Sequence, residues 1–147
     1  MKKLMLAALG AATMTFGVPA AAQDETPLRG GEYWEVATID VADGQGLRYA
    51  EWLATDWRAF NDYAKSQGWI SDYKILSNVH GRPDEGDIFL ITKFSSMPDA
   101  AEGERRSKAF RAQMKRSAKQ LAAESGNRAE YRKVMGSVLL QELHFRD

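Results

Sequence analysis

The sequence predicts an α+β fold of the ferredoxin-like kind: a four-stranded antiparallel sheet with two helices on one face, in the order β-α-β-β-α-β. Two observations carry that expectation. Two segments have the apolar spacing of long helices, at residues 46–67 and 96–125. Four segments read as strands, one before the first helix, two between the helices and one after the second.

The first strand is expected at 33–41, where Trp34, Val36 and Thr38 alternate with Glu35, Ala37 and Ile39. Asp43-Gly44 marks a turn before the first helix. That helix holds the chain's densest aromatic cluster: Tyr49, Trp52, Trp57, Phe60 and Tyr63. At about 100° per residue these share one side with Leu53 and Ala64, over an arc roughly 140° wide. Asp56 projects from the middle of the arc, so it must find a basic partner such as Lys74, reach water or stay protonated. Gly68 suits the left-handed position beyond the helix end.

Residues 69–79 read as the second strand, and the polar cluster at 80–86 as a turn. Residues 87–94 are the strongest strand. Its apolar side chains run consecutively, as in a strand covered on both faces. Ser96, Pro98 and Asp99 mark the start of the second helix, with Ser96 as its cap. Thirty residues of helix would span roughly 45 Å, more than this domain needs, so a break is expected near Gly103. Its apolar stripe is thin: Phe110, Met114, Ala118 and Leu121. A loop containing Asn127 and a last strand at 136–145 complete the domain. The strands carry apolar residues on both faces, whereas helices would cover one. Pairing with a second copy is the expected remedy.

Residues 1–22 have the form of an export signal. Lys2 and Lys3 precede an apolar run at 4–18, and Ala20-Ala21-Ala22 offers a small-x-small cleavage site. The run is too short for a stable membrane span. Residues 23–31 are expected to be a disordered lead-in, and 32–147 the folded domain. The chain has 20 Lys+Arg and 20 Asp+Glu. Without Lys2 and Lys3 its charge is −2, which gives no strong field toward nucleic acid or an anionic surface. It has no Cys, and so no disulfide and no thiolate site.

An aromatic helix with Tyr49, Trp52-Leu53, Trp57 and Phe60 leads to Gly68-Trp69-Ile70 and Tyr73-Lys74-Ile75-Leu76, and Gly86-Asp87 precedes a hydrophobic strand. This pattern resembles the dimeric α/β-barrel superfamily over residues 32–146, and is most similar to its uncharacterised secreted bacterial members. The resemblance implies a homodimer with a ligand held between the sheet and the helices of each subunit. The better-known members of the superfamily that it resembles include cofactor-free quinone-forming monooxygenases and haem-degrading enzymes. The haem-degrading relatives take their proximal His from the second helix, where this chain has none.

Candidate ligand-binding residues are Trp52, Asp56, Trp57, Asn61 and Tyr63, with core packing as the plainer role for the same side chains. Candidate proton acceptors are His144 and Asp56. His144 lies two residues from Glu142, so both point to one side of the last strand. His80, in the turn cluster, reads as a solvated residue. No HxxxH or HExxH spacing occurs, so neither a metal nor another cofactor is expected. The second helix is basic at Arg105, Arg106, Lys108, Arg111, Lys115, Arg116 and Lys119. Its one aromatic in that run is Phe110, which leaves no base-stacking surface. A solvated face offset by Asp99, Glu102 and Glu104 accounts for it.

Three functions fit these residues: an exported small-ligand-binding dimer, a cofactor-free monooxygenase acting on an aromatic substrate, and an envelope protein without a pocket. For the export signal, N-terminal sequencing of protein from the cell envelope is expected to begin at Gln23. An intact Met1 would contradict it.

Overall fold

The structure, a computed structural model, describes residues 26–146. The export segment expected at 1–22 lies outside the described residues. The elements are β1 (Leu28–Val41), α1 (Gly46–Trp52), a π-helical turn (Leu53–Trp57), α2 (Arg58–Ser66), β2 (Asp72–Ser77), β3 (Ile88–Phe94), α3 (Ala100–Met114), α4 (Ala118–Arg128) and β4 (Arg132–Phe145). The strands form one sheet in the order β2-β3-β1-β4, with every neighbouring pair antiparallel. The architecture is α+β and compatible with a ferredoxin-like fold. β1 begins at Leu28, inside the segment expected to be a disordered lead-in. There it pairs with the end of β4, Leu28 opposite Phe145.

Cross-strand partners share a face. Ala37 with Leu90 and Ile39 with Ile88 point to the helices. Ile39, Tyr49, Leu53, Trp57 and Tyr131 form the buried cluster, and Tyr73, Ile88 and Leu90 pack against it. The opposite face carries Trp34, Val36, Phe89, Ile91, Leu76, Val138 and Leu140 in cross-strand register. Of these, Leu76, Val138 and Leu140 are about half exposed.

The aromatic helix spans its expected length, but five of its residues form a π turn. Such a turn takes one extra residue and frees a carbonyl from the regular ladder. The Thr55 hydroxyl supplies a donor there, bonding to the Glu51 carbonyl at 2.8 Å. Gly68 closes the helix at φ 67°, as its position required. Gly86 has a different reason. It is buried against the Thr38 methyl and the Ile39 backbone, where a Cβ has no room. The close approach lets the Asp87 N–H reach the Ile39 carbonyl at 2.8 Å.

The second helical segment breaks, but not at Gly103. That residue lies inside α3, with its N–H on the Asp99 carbonyl at 2.8 Å. An isolated Gly costs a helix only about 1 kcal/mol, too little to end it. The break falls at 115–117. Lys115 turns left-handed at φ 53°, and Ser117 opens α4 with a capping box closed by Gln120. At the start of α3 the cap is Asp99, not Ser96: its carboxylate accepts from the Glu102 N–H at 2.8 Å. The segment also runs past its expected end at 125, since α4 continues through Gly126 to Arg128. α3 rests on α2, with Phe110 edge-on to Phe60 at 5.2 Å and tilted against Tyr63 at 6.4 Å.

Candidate functional site

The aromatic arc divides between two sides of the helix. On the side toward β2, Trp57 is buried and stands edge-on to Tyr73 at 5.3 Å. Together with Ala50, Leu53, Ala54, Ile75 and Ile88 these rings line an open apolar cleft of about 550 Å³. Its polar members are Arg58 and the Tyr73 hydroxyl, and both are engaged by Asp62. The hydrogen bond to Asp62, then burial, raises the Tyr73 pKa above its ordinary value. A second hollow of about 370 Å³ continues from the cleft at the strand ends. It shares Leu53, Ala50 and Ile88 and is bordered by Asp43, Asn78 and Asp87.

On the other side, Trp52 stacks on Tyr49 at 5.7 Å and 11°. The Arg128 guanidinium lies 4.4 Å over the Trp52 ring. Asp56 accepts from Arg116 at 2.7 Å, and Arg116 also reaches Glu124 at 3.2 Å. Trp52, Asp56, Arg116, Glu124 and Arg128, with Arg48, Asn127 and Tyr131, border a pocket of about 220 Å³. Beneath it, the Tyr49 hydroxyl is buried without a hydrogen-bond partner. Burial pushes its pKa up to about 12, against the opposing charges of Arg132 and Arg128.

The five candidate ligand residues therefore do not converge. Trp57 faces the apolar cleft, and Trp52 and Asp56 face the charged pocket. Asn61 is buried and donates to the Trp57 carbonyl at 2.8 Å. Tyr63 is edge-on to Trp69 at 5.3 Å and borders none of these three hollows. Asp56 has found a partner, though not Lys74, which is 4.0 Å from Asp72 and 5.6 Å from the Trp34 ring on the opposite sheet face.

His144 and Glu142 do share a side, with His144 Nε2 3.9 Å from the carboxylate. Glu142 is held by Lys93 at 3.2 Å, and Lys93 also reaches Glu32 at 2.9 Å. Lys93 accordingly lowers the Glu142 pKa. This cluster lies on the helix-free face, so His144 and Asp56 lie at separate places. His80 is exposed in its turn. Among the described residues, no three His, Asp or Glu side chains gather as metal ligands. On α3, Glu102 binds Arg105 and Arg106, each at 2.6 Å. Those two bonds hold its carboxyl down at about 2.

Sequence reasoning passed over Arg128, Tyr131 and Arg132, which lay in or beside a presumed loop. The signal available was the capping box at Ser117, which starts a helix that ends on Arg128 and leads directly through Tyr131 into β4 at Arg132. Comparison with protein-family models, with characterised proteins and with solved structures finds no match to this chain.

The Asp56–Arg116 pair joins the aromatic helix to the α3–α4 junction and is about two-thirds shielded from solvent. Asp56→Asn is expected to cost about 1–2 kcal/mol in urea unfolding, between the exposed and buried limits for such pairs. Adding Arg116→Gln should then cost little more. Wild-type stability in Asp56→Asn would refute the pairing.

Proposed function

We propose that this protein is an exported homodimer of the dimeric α/β-barrel kind that binds a small apolar or aromatic molecule beside Trp57. The observation that carries the reading is the apolar cleft between the π turn and β2–β3, walled by Leu53, Trp57, Tyr73, Ile75 and Ile88. Its size and chemistry suit a flat ligand: mostly apolar walls with a few polar groups at the margin. The half-exposed apolar residues on the other sheet face favour a second copy as the cover. The basic n-region and Ala-x-Ala motif support export.

Binding has more support than catalysis. Neither candidate proton acceptor borders this cleft. Asp56 is committed to Arg116 on the far side of the helix, and His144 lies on the helix-free face of the sheet. A general base must come within hydrogen-bond reach of the proton that it takes.

Titration with 1,4-naphthoquinol under nitrogen, read by tryptophan fluorescence, is expected to saturate. Ile75→Glu puts a charge in the cleft wall and should weaken binding about tenfold or more. No saturable change, or equal binding by Ile75→Glu, would sink the cleft as a binding site. On admitting air, the bound quinol should oxidise no faster than in buffer. Accelerated turnover would favour the monooxygenase reading instead.

A further inference from the structure

The pocket on the far side of the aromatic helix has a separate chemistry. Three guanidinium groups border it, from Arg48, Arg116 and Arg128. Two are already engaged: Arg116 by Asp56 and Glu124, Arg48 by Glu130 at 3.3 Å. Arg128 is not. Among the described residues no carboxylate lies within ion-pair distance of it, and its Nε–H is buried without an acceptor. The Nε–H of Arg132 next to it is in the same condition. Both guanidinium groups lie over the Trp52 ring, at 4.4 and 6.0 Å. Two like charges held together in a half-buried place repel each other, and an anion would relieve that repulsion. Burial and Arg132 indeed depress the Arg128 pKa.

We propose that this pocket binds a small aromatic monocarboxylate, with its carboxylate on Arg128 and its ring in the hollow bordered by Trp52 and Tyr131. Three features select that class. First, the fork of a guanidinium matches a carboxylate in a planar, two-point contact. Second, three Arg against Asp56 and Glu124 leave the wall with a net charge of +1, enough for one negative charge. The same two carboxylates disfavour a dianion such as phosphate. Third, the volume of about 220 Å³ equals that of roughly seven waters, the size of one ring bearing a carboxylate. Asn127, exposed on the last turn of α4, stands at the rim as a further donor. The site is distinct from the apolar cleft and does not depend on it.

The test is titration with benzoate, with benzamide as the neutral analogue of the same shape and inorganic phosphate as the competing anion. Benzoate is expected to bind saturably and to perturb tryptophan fluorescence. Benzamide and phosphate should bind at least about tenfold more weakly, because each forfeits the charge-assisted pair or meets the acidic wall. Arg128→Gln should abolish benzoate binding. Asn127→Glu tests the same point without touching the Trp52 stack, by placing a carboxylate at the exposed rim beside Arg128. It should weaken benzoate by about tenfold or more and leave the naphthoquinol titration unchanged. Ile75→Glu should leave benzoate binding intact. The proposal falls if benzoate does not saturate, if benzamide or phosphate binds as well, or if Asn127→Glu binds benzoate like the wild type. It also falls if Ile75→Glu removes benzoate binding, because the ligand would then occupy the apolar cleft.

Discussion

An antiparallel sheet that carries apolar side chains on both faces must keep both from water, and this chain's helices pack on only one. The aromatic helix is buried on Ile39, Tyr73, Ile88 and Leu90 through Leu53 and Trp57. The other face keeps Leu76, Val138 and Leu140 at about half exposure. With Trp34, Val36, Phe89 and Ile91 between them, they form an apolar row across all four strands, a larger apolar surface than the scattered residues that any soluble protein exposes. β1 and β4 are 14 residues each, against 6 and 7 for β2 and β3, so their far ends form a two-stranded arm beyond the rest of the sheet. A two-stranded ribbon is marginal in water by itself. The length of the arm and the bare face favour the same remedy, cover from a second copy.

On the covered side, the two flanks of the aromatic helix carry different chemistry. A regular helix would stack Trp52 and Asp56 one turn apart and set Leu53 against Trp57 in the same way. The π turn at 53–57 preserves both pairings: Leu53 and Trp57 lie on the core, and Asp56, beside Trp52, reaches Arg116, sixty positions away in sequence. The Thr55 hydroxyl donates to the Glu51 carbonyl one turn back. An apolar cleft beside β2 and a charged pocket beside α4 are therefore the two flanks of one helix.

Much of this was legible in the residues. Alternation in Trp34 to Ile39, the apolar run from Ile88 to Leu90 and the helix-ending Gly68 all led to the right elements, because each is a local signal that packing reinforces. What was missed depends on contacts distant in sequence or on competition between near-equal local choices. The π turn has no composition of its own. The break at Lys115 prevailed over Gly103 because a capping box at Ser117 rewards restarting the helix there. Arg116, rather than Lys74, pairs with Asp56 because strand parity sends Lys74 to the opposite face. Asn61 and Tyr63 share the helix with Trp57 but are occupied by a backbone carbonyl and by neighbouring rings.

The claim that the uncovered sheet face pairs with a second copy is open to one direct measurement, light scattering on the purified protein at micromolar concentration. A stable interface of roughly 800 Å² per subunit should give twice the chain mass. Val138→Lys combined with Leu140→Lys should reduce it to the mass of one chain, with far-ultraviolet circular dichroism unchanged. A wild-type protein that is monomeric at that concentration, with the apolar face open to water, would contradict the account.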